Sequence, residues 1–313
     1  MKCNVCGTSK LREVRYDLHV PPENFLGRLK YRVKLFRYPY IASTFSLIES
    51  YIPSNLKSLK KISRWFANPF GGKIKVCQSC GHGEMMKPPN LKKLESYYRD
   101  MYWDAHSNRP ENVTVSETKK NNRAGQQIDF VYQTLSDNDI KSILEIGAGE
   151  ASAILLLRTR LASKPDLFVC ESGKQWEDYY KTAEIHKIAD YFPFTTERRF
   201  SYIHTSHWLE HTRDLIETIT ILKNLLNENG FLFIEVPNTK HDYWDNNFLD
   251  TPHIHFFTPS SLKKVFENYG FKCNKIATYG PTNKDLAKGN RQNAVSKLEI
   301  EGGCWIRALF SVV

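Results

Sequence analysis

The order of apolar and polar positions changes near residue 123. Beyond that point short apolar runs alternate with amphipathic stretches. Ser142 to Ile146, Leu167 to Cys170, Phe200 to His204 and Phe231 to Val236 are apolar runs of strand length, the last ended by Pro237. Between them, Ala124 to Leu135, Ala153 to Leu161 and Leu215 to Leu226 read as helices, and Asn229-Gly230 closes the third. Ser260 to Tyr269 reads as a further helix, with Ser260 as its N-cap and Gly270 as its C′ residue. Stretches near 271–278 and 304–313 read as strands at a sheet edge. Strands alternating with helices predict an α/β fold, a doubly wound and mostly parallel sheet.

The 122 residues before this pattern differ from it. Residues from Leu91 read as a short helix, followed by a polar stretch over 104–122, a linker or lid. Three segments are therefore expected: 1–90, 91–122 and 123–313. The net charge of +10 has one origin. From Arg28 to Lys75 there are 11 Lys and Arg against the single acid Glu49, and the rest of the chain is balanced. Within this insert of about 21–72, Leu56, Leu59, Ile62 and Phe66 share one helical face, with Lys57, Lys60, Lys61 and Arg64 around the other. A basic amphipathic helix of this kind suits an anionic membrane surface, so the 24–70 stretch is a candidate for peripheral membrane contact. A solvated helix packed on the rest of the chain is the alternative.

Of seven cysteines, four form two Cys-x-x-Cys-Gly pairs, at 3–7 and 77–81. The thiolates of Cys3, Cys6, Cys77 and Cys80 suit a closed tetrahedral, structural Zn²⁺ site. A vacant or redox-active pair is the other reading, and His82 is the nearest rival ligand. Cys170, Cys273 and Cys304 stand singly in apolar runs and read as buried thiols. No run of about 18 uncharged apolar residues occurs, which excludes a transmembrane helix. The N-terminus has no apolar signal region. A cytoplasmic protein is expected, with the inner membrane surface as its docking place.

The stretch Leu-Glu-Ile-Gly-Ala-Gly-Glu-Ala-Ser, 144–152, joins a strand to a helix. Gly147 and Gly149 would bring backbone N–H groups to the carboxyl edge of the sheet, where ligands of open α/β sheets bind. After the next strand stands Glu171, spaced to grip two ribose hydroxyls. A dinucleotide loop would want a third glycine at 152, where this chain has Ser152, and it would leave Glu145 without a role. A nucleoside that carries an amino acid gives Glu145 an ammonium group to balance, and S-adenosylmethionine is such a ligand.

These residues resemble motif I of the class I S-adenosylmethionine-dependent methyltransferases, with Glu145, Gly147, Gly149 and, at the third glycine place, Ala151. The alanine is expected at negative φ, making a slightly tighter pocket. Ser206-His207-Trp208-Leu209-Glu210-His211 and Phe233-Ile234-Glu235-Val236-Pro237-Asn238 resemble the segments at the fourth and fifth strands of the same family. The resemblance implies that Glu171 binds the adenosine ribose and that Asp190 lies where the adenine is read.

Thr-Pro-His-Ile-His-Phe-Phe-Thr-Pro, 251–259, places His253 and His255 on one side of an extended segment. Methyl transfer needs alignment and removal of one proton, and an imidazole suits the latter. A metal pair is not expected here, because the sequence offers no third ligand nearby. This segment, and a four-cysteine module before the methyltransferase domain, resemble the sugar methyltransferases, including those that methylate carbon. By that resemblance His255 or His253 is the base, His207 could line the acceptor pocket, and aromatic residues such as Tyr98 fold over donor and acceptor. The implied function is methyl transfer to a sugar, nucleotide sugar or related small polar metabolite. Two other classes stay open. An RNA methyltransferase could use the module and the insert, although the segment after the fourth strand lacks the Asn/Asp-Pro-Pro-Tyr/Phe pattern and nucleic acid is not the expected partner. A non-catalytic scaffold could keep the fold without turnover.

Overall fold

A computed structural model of the chain describes residues 2–16, 72–89, 91–98, 122–136, 138–239, 241–244, 253–282, 285 and 301–313. The 24–70 stretch proposed for membrane contact and the polar stretch up to residue 121 lie outside the described residues. Among the described residues no helix is long and apolar enough to cross a membrane.

The chain opens with strands β1 (Leu11–Tyr16), β2 (Gly72–Cys77) and β3 (Gly83–Met85), then helix α1 (Leu91–Tyr97). From α2 (Asn122–Ser136) strands and helices alternate: β4 (Ser142–Ile146), α3 (Ser152–Arg160), β5 (Asp166–Cys170), α4 (Glu177–Thr182) and β6 (Ile185–Ala189). There follow β7 (Phe200–Ser206), α5 (Leu215–Leu225), β8 (Leu226–Pro237), the two-residue β9 (His255–Phe256), α6 (Pro259–Asn268), β10 (Phe271–Thr282) and β11 (Gly303–Val312).

Seven strands form the main sheet, in the order β10-β11-β8-β7-β4-β5-β6. β4 to β8 pair in parallel, and β11 runs antiparallel to both its neighbours. The doubly wound sheet read from the sequence is the observed one. β4 pairs with both β5 and β7. The chain therefore leaves β4 to one side, returns at β7 and continues to the other. The carboxyl ends of β4 and β7 flank the switch point, where ligands of such sheets bind.

Both faces of the sheet are covered, which is why its strands read as continuous apolar runs. On β8, Leu232 and Ile234 face the cluster that contains Leu222, Leu262 and Phe266, while Phe233 faces the one that contains Ile128, Val131 and Leu157. Helices α5 and α6 thus cover one face, and α2, α3 and α4 the other.

Three local readings change. Residues 177–189, left without elements by the sequence pattern, form α4 and the edge strand β6. Among the described residues β6 pairs only with β5, and Ile185-His186-Lys187-Ile188 mixes polar with apolar residues instead of forming a continuous apolar run. Helix α6 is capped by Thr258 and not by Ser260: the Thr258 side chain accepts from Ser261 N, Ser261 caps in return, and Pro259 stands in the first turn. Such a cap contributes about 1 kcal/mol. Gly270 does end the helix at φ 81°. Cys170 and Cys304 are buried as expected, whereas Cys273 is half-buried.

β1, β2, β3 and β9 make a second, antiparallel sheet. Its last strand comes from the segment after β8. The N-terminal module is therefore stitched to the rest of the chain. The Thr258 hydroxyl donates to the Cys80 carbonyl at 2.7 Å, and Asn268 Nδ2 donates to the Val5 carbonyl at 3.0 Å.

Candidate functional site

The loop after β4 turns through two glycines in the left-handed region, Gly147 at φ 71° and Gly149 at φ 49°. At Gly147 a side chain would also meet Trp208, its Cβ only 3.2 Å from the indole Cδ1. Ala151 departs from expectation. It lies at φ 52°, fully buried, just before α3. The third glycine place keeps its left-handed backbone with a methyl group present, at a cost of about 1–2 kcal/mol for an L residue.

Glu171 stands at the end of β5 and is buried. Its Oε2 accepts from Gly149 N at 2.9 Å and its Oε1 from Gly173 N at 2.8 Å. One carboxylate thus ties the glycine loop to the next loop, and the Ser172 hydroxyl also donates to its Oε1 at 3.3 Å. The Tyr180 hydroxyl fixes the glycine loop from the other side, donating to the Gly149 carbonyl at 2.5 Å.

Glu145 is buried at the end of β4, and its Oε2 has no hydrogen-bond partner. Burial, reinforced by Glu150 and Glu171, pushes its carboxyl well above the usual range. A buried, unsatisfied acid beside two glycine turns fits a ligand that brings an ammonium group. S-adenosylmethionine satisfies this test, with Glu171 for the ribose diol. Asp190 follows β6, half-exposed, in an ion pair with Lys187 Nζ at 2.6 Å. Phe192 and Trp208 meet edge to face at 5.0 Å nearby.

The turn after β7 carries the second group of residues. His207 is half-buried at φ 52°, a strained position for a non-glycine residue. Its Nδ1 lies 3.3 Å from Glu210 Oε1 and its Nε2 3.7 Å from Glu235 Oε1. Glu210 is 1% exposed. Burial would raise its carboxyl, but His207, His211 and His253 around it pull it down to about 2. His253 is held here because the neighbouring Ile254 N donates to the Glu210 carbonyl at 2.8 Å. His211 and His253 meet with ring centroids 4.7 Å apart, and Tyr98 packs edge-on against His211 at 5.7 Å. Tyr98, expected over the donor, therefore contacts this cluster.

His253 and His255 do not act as a pair. His253 joins Glu210 and His211. His255, on β9, stacks on His82 with centroids 5.7 Å apart and lies against Phe257. Burial pushes His253 down to about 3 and His255 to about 4. The sequence reading also found no third metal ligand near His253. The structure brings Glu210 and His211 to it, their ligand atoms all within 4.8 Å of one another.

A third group was missed. Glu235 on β8 is fully buried and accepts from Arg307 Nε at 2.5 Å and from Gln127 Nε2 at 2.9 Å. Arg123 closes a tight ion pair with it and lies over the Trp305 ring. Arg307 and Arg123 hold the Glu235 carboxyl far below its usual range against the burial that would raise it. The signal was an acid inside Phe231-Leu232-Phe233-Ile234-Glu235-Val236 and a base inside Trp305-Ile306-Arg307-Ala308-Leu309.

The four cysteines converge as the spacing requires, with their Sγ atoms all within 4.8 Å of one another. Cys3 and Cys80 sulfurs are 3.7 Å apart, and those of Cys6 and Cys77 3.4 Å. Gly7 at φ 74° and Gly81 at φ 77° turn the chain after each pair. Four thiols at these separations match a tetrahedral Zn²⁺ with bonds of about 2.3 Å. His82 is not in the group; it lies against His255 and Phe257.

Residues 118–276, just over half of the chain, match the family model described as "Methyltransferase domain". Among solved structures, the chain is similar to the plantazolicin methyltransferase BpumL in complex with a monoazolic desmethylPZN analog and SAH. The identity is 16% and the TM-score 0.48, over 71% of this chain and 96% of that one. It is also similar to an S-adenosylmethionine-dependent methyltransferase of Thermotoga maritima described as a possible histamine N-methyltransferase. There the identity is 13% and the TM-score 0.44, over 63% of this chain and 91% of that one. No curated protein matches the sequence.

Proposed function

The chain belongs to the methyltransferase-domain family, with the fold of the class I S-adenosylmethionine-dependent enzymes, and from that premise we propose that it methylates a sugar, nucleotide sugar or related small polar metabolite. The observation that carries the donor half of this reading is Glu171. It is a buried carboxylate at the end of β5, already bonded to the glycine loop and facing the switch point. In this reading Glu171 takes the ribose hydroxyls, Glu145 balances the ammonium group, Gly147 and Gly149 let the backbone approach, and Asp190 flanks the adenine. Bound there, the donor supplies an electrophilic methyl group on sulfur for in-line displacement.

The acceptor half rests on the turn after β7. Trp208 covers Gly147, so His207 and Glu210 stand one step from the loop that receives the donor. His207 is the preferred base: its ring is half-buried, its Nε2 has no hydrogen-bond partner among the described residues, and Glu210 at 3.3 Å from Nδ1 orients the ring and stabilises the imidazolium that forms. His253 and His255, both depressed by burial, are weaker bases. His253 keeps a place in the acceptor pocket with Tyr98, and His255 supports the joint with the small sheet. A cluster of imidazoles and carboxylates suits a hydroxylated acceptor better than an apolar one. The four cysteines hold a structural Zn²⁺, and the 24–70 insert docks the enzyme on an anionic surface. In the domain division we favour, residues 1–90 are the zinc module with its basic insert, 91–122 a helix and a linker or lid, and 123–313 the catalytic domain.

Incubation of the full chain with S-adenosylmethionine and a panel of nucleotide sugars, read by mass spectrometry, tests the acceptor. The expected result is a gain of one methylene in a sugar, reduced at least about a hundredfold in His207→Ala with product binding kept. Methylation of RNA and of no sugar overturns the acceptor class.

A further inference from the structure

We infer that Glu210, His211 and His253 form a second metal site, one that holds a divalent transition-metal cation beside the donor cleft. This deepens the methyl-transfer reading and rests on it for what the cation does, not for whether it binds.

The distances decide between a metal site and a cluster of hydrogen-bonded side chains. His211 Nε2 lies 3.8 Å and His253 Nε2 4.0 Å from the same oxygen, Glu210 Oε1. Both are too long for a hydrogen bond, which needs about 2.7–3.2 Å. Both fit two ligands on one ion. With bonds of about 2.1 Å, two ligand atoms of a common cation lie roughly 3.0 to 4.2 Å apart, depending on the angle between them. The three ligand atoms all fall within 4.8 Å of one another, so a small movement completes the site.

Glu210 supplies the second observation. It is 1% exposed; among the described residues Oε2 has no hydrogen-bond partner, and Oε1 meets only imidazole nitrogens, His207 Nδ1 being the nearest at 3.3 Å. A buried carboxylate with so little compensation is costly unless a cation balances it. No lysine or arginine ion-pairs with it among the described residues; its charged neighbours are His207, His211 and His253. Arg123 and Arg307, the nearby cations, are engaged with Glu235.

Backbone structure holds the ligands in place. Glu210 and His211 share the short 3₁₀ turn Leu209–His211, and Ile254 N, beside His253, donates to the Glu210 carbonyl at 2.8 Å. Two imidazoles and one carboxylate select a first-row transition ion such as Zn²⁺, Mn²⁺, Fe²⁺ or Co²⁺ over Mg²⁺. Three protein ligands leave coordination positions open, as in catalytic metal sites, and these would take oxygen atoms of the acceptor. A hydroxyl bound there would lose its proton more readily to His207. Its O–H bond breaks, the oxygen gains the methyl group as the sulfur–methyl bond breaks, and S-adenosylhomocysteine leaves.

Co²⁺ added to the metal-stripped full chain tests the site, because its spectrum separates the two kinds of ligand. The four-cysteine site gives an intense near-ultraviolet thiolate band. The second site gives only visible bands that grow without it. The expected result is both signals in the wild type. His211→Ala, at the half-buried rim, and His253→Ala should weaken the thiolate-free signal at least about tenfold and leave the thiolate band unchanged. Cys77→Ser should do the reverse. Visible bands that are absent, or equally tight in both histidine variants, overturn the inference. Calorimetry with S-adenosylhomocysteine on the same samples reads the donor site independently. Binding without the second cobalt signal removes the metal alone, and cobalt binding without product binding removes the methyl-transfer reading alone.

Discussion

Replacement of Glu171 by glutamine separates its two roles. The carboxylate accepts from Gly149 N at 2.9 Å and Gly173 N at 2.8 Å, and it is proposed to accept from two ribose hydroxyls. Glutamine keeps the shape and one acceptor oxygen but turns an N–H₂ donor toward one of the two backbone donors. For the ligand, two charge-assisted bonds of about 1.5–3 kcal/mol each become one neutral bond of about 1 kcal/mol. The net loss is about 3 kcal/mol, or roughly a hundredfold in Kd for S-adenosylhomocysteine. In the free protein, loss of one bond and a donor–donor conflict cost about 2 kcal/mol. That lowers Tm by about 4–8 °C in a domain of this size. Calorimetry measures the first quantity and differential scanning of the ligand-free protein the second. A Kd within about threefold of wild type refutes the assignment of Glu171 to the ribose. An unchanged Tm refutes the claim that it ties the two loops together.

Two further perturbations have signs fixed by the structure. Ala151→Gly should be nearly neutral, within about 1 kcal/mol by urea unfolding. Relief of about 1–2 kcal/mol from the φ 52° backbone is offset by unfolded-state entropy and by a lost buried methyl group. A loss well above that contradicts the left-handed position. The second perturbation is of His204. It is fully buried, bonded through Nδ1 to the Tyr202 hydroxyl at 2.9 Å and stacked on Phe233, with Glu145, Glu235, Arg123 and Arg307 around it. Burial pushes its pKa down to about 3. The unfolded chain takes up this proton near pH 6.5, so the stability is present above that pH and is lost as pH falls toward 3. By pH 5 the loss is about 2 kcal/mol. His204→Phe should flatten the dependence of stability on pH between 6.5 and 5 by about one proton. An unchanged slope refutes the depressed pKa.

The parallel sheet was legible because both its faces are buried, which leaves unbroken apolar runs in the sequence. Edge strand β6, paired on one side, carries His186 and Lys187 in mid-strand and so offers no unbroken apolar run. The glycine loop and Glu171 were legible because each follows a strand directly. Ala151 was misjudged because composition favours negative φ for alanine, whereas the loop imposes the opposite sign. The two histidines of 251–259 were treated as one side of an extended strand, yet one meets the turn at Glu210 and the other meets His82, contacts set by packing across more than forty residues. The same distance in sequence hid the grouping of Glu210, His211 and His253. Glu235 and Arg307 are each improbable alone in an apolar run, and only the pairing of β8 with β11 shows that they answer one another.

The strand that completes the small sheet carries a consequence for biosynthesis. β3 can pair with β9 only after the ribosome has made residues 255 and 256, and Cys80 waits for Thr258, a partner 178 positions later. Closing a loop of that length costs about 5 kcal/mol of chain entropy, recovered only once the large sheet brings the ends together. The cysteine cluster is therefore no detachable tag: cut the chain after residue 90 and β3 is left with a bare edge, so the cluster's sheet closes only after residues 255–258, made much later, have arrived.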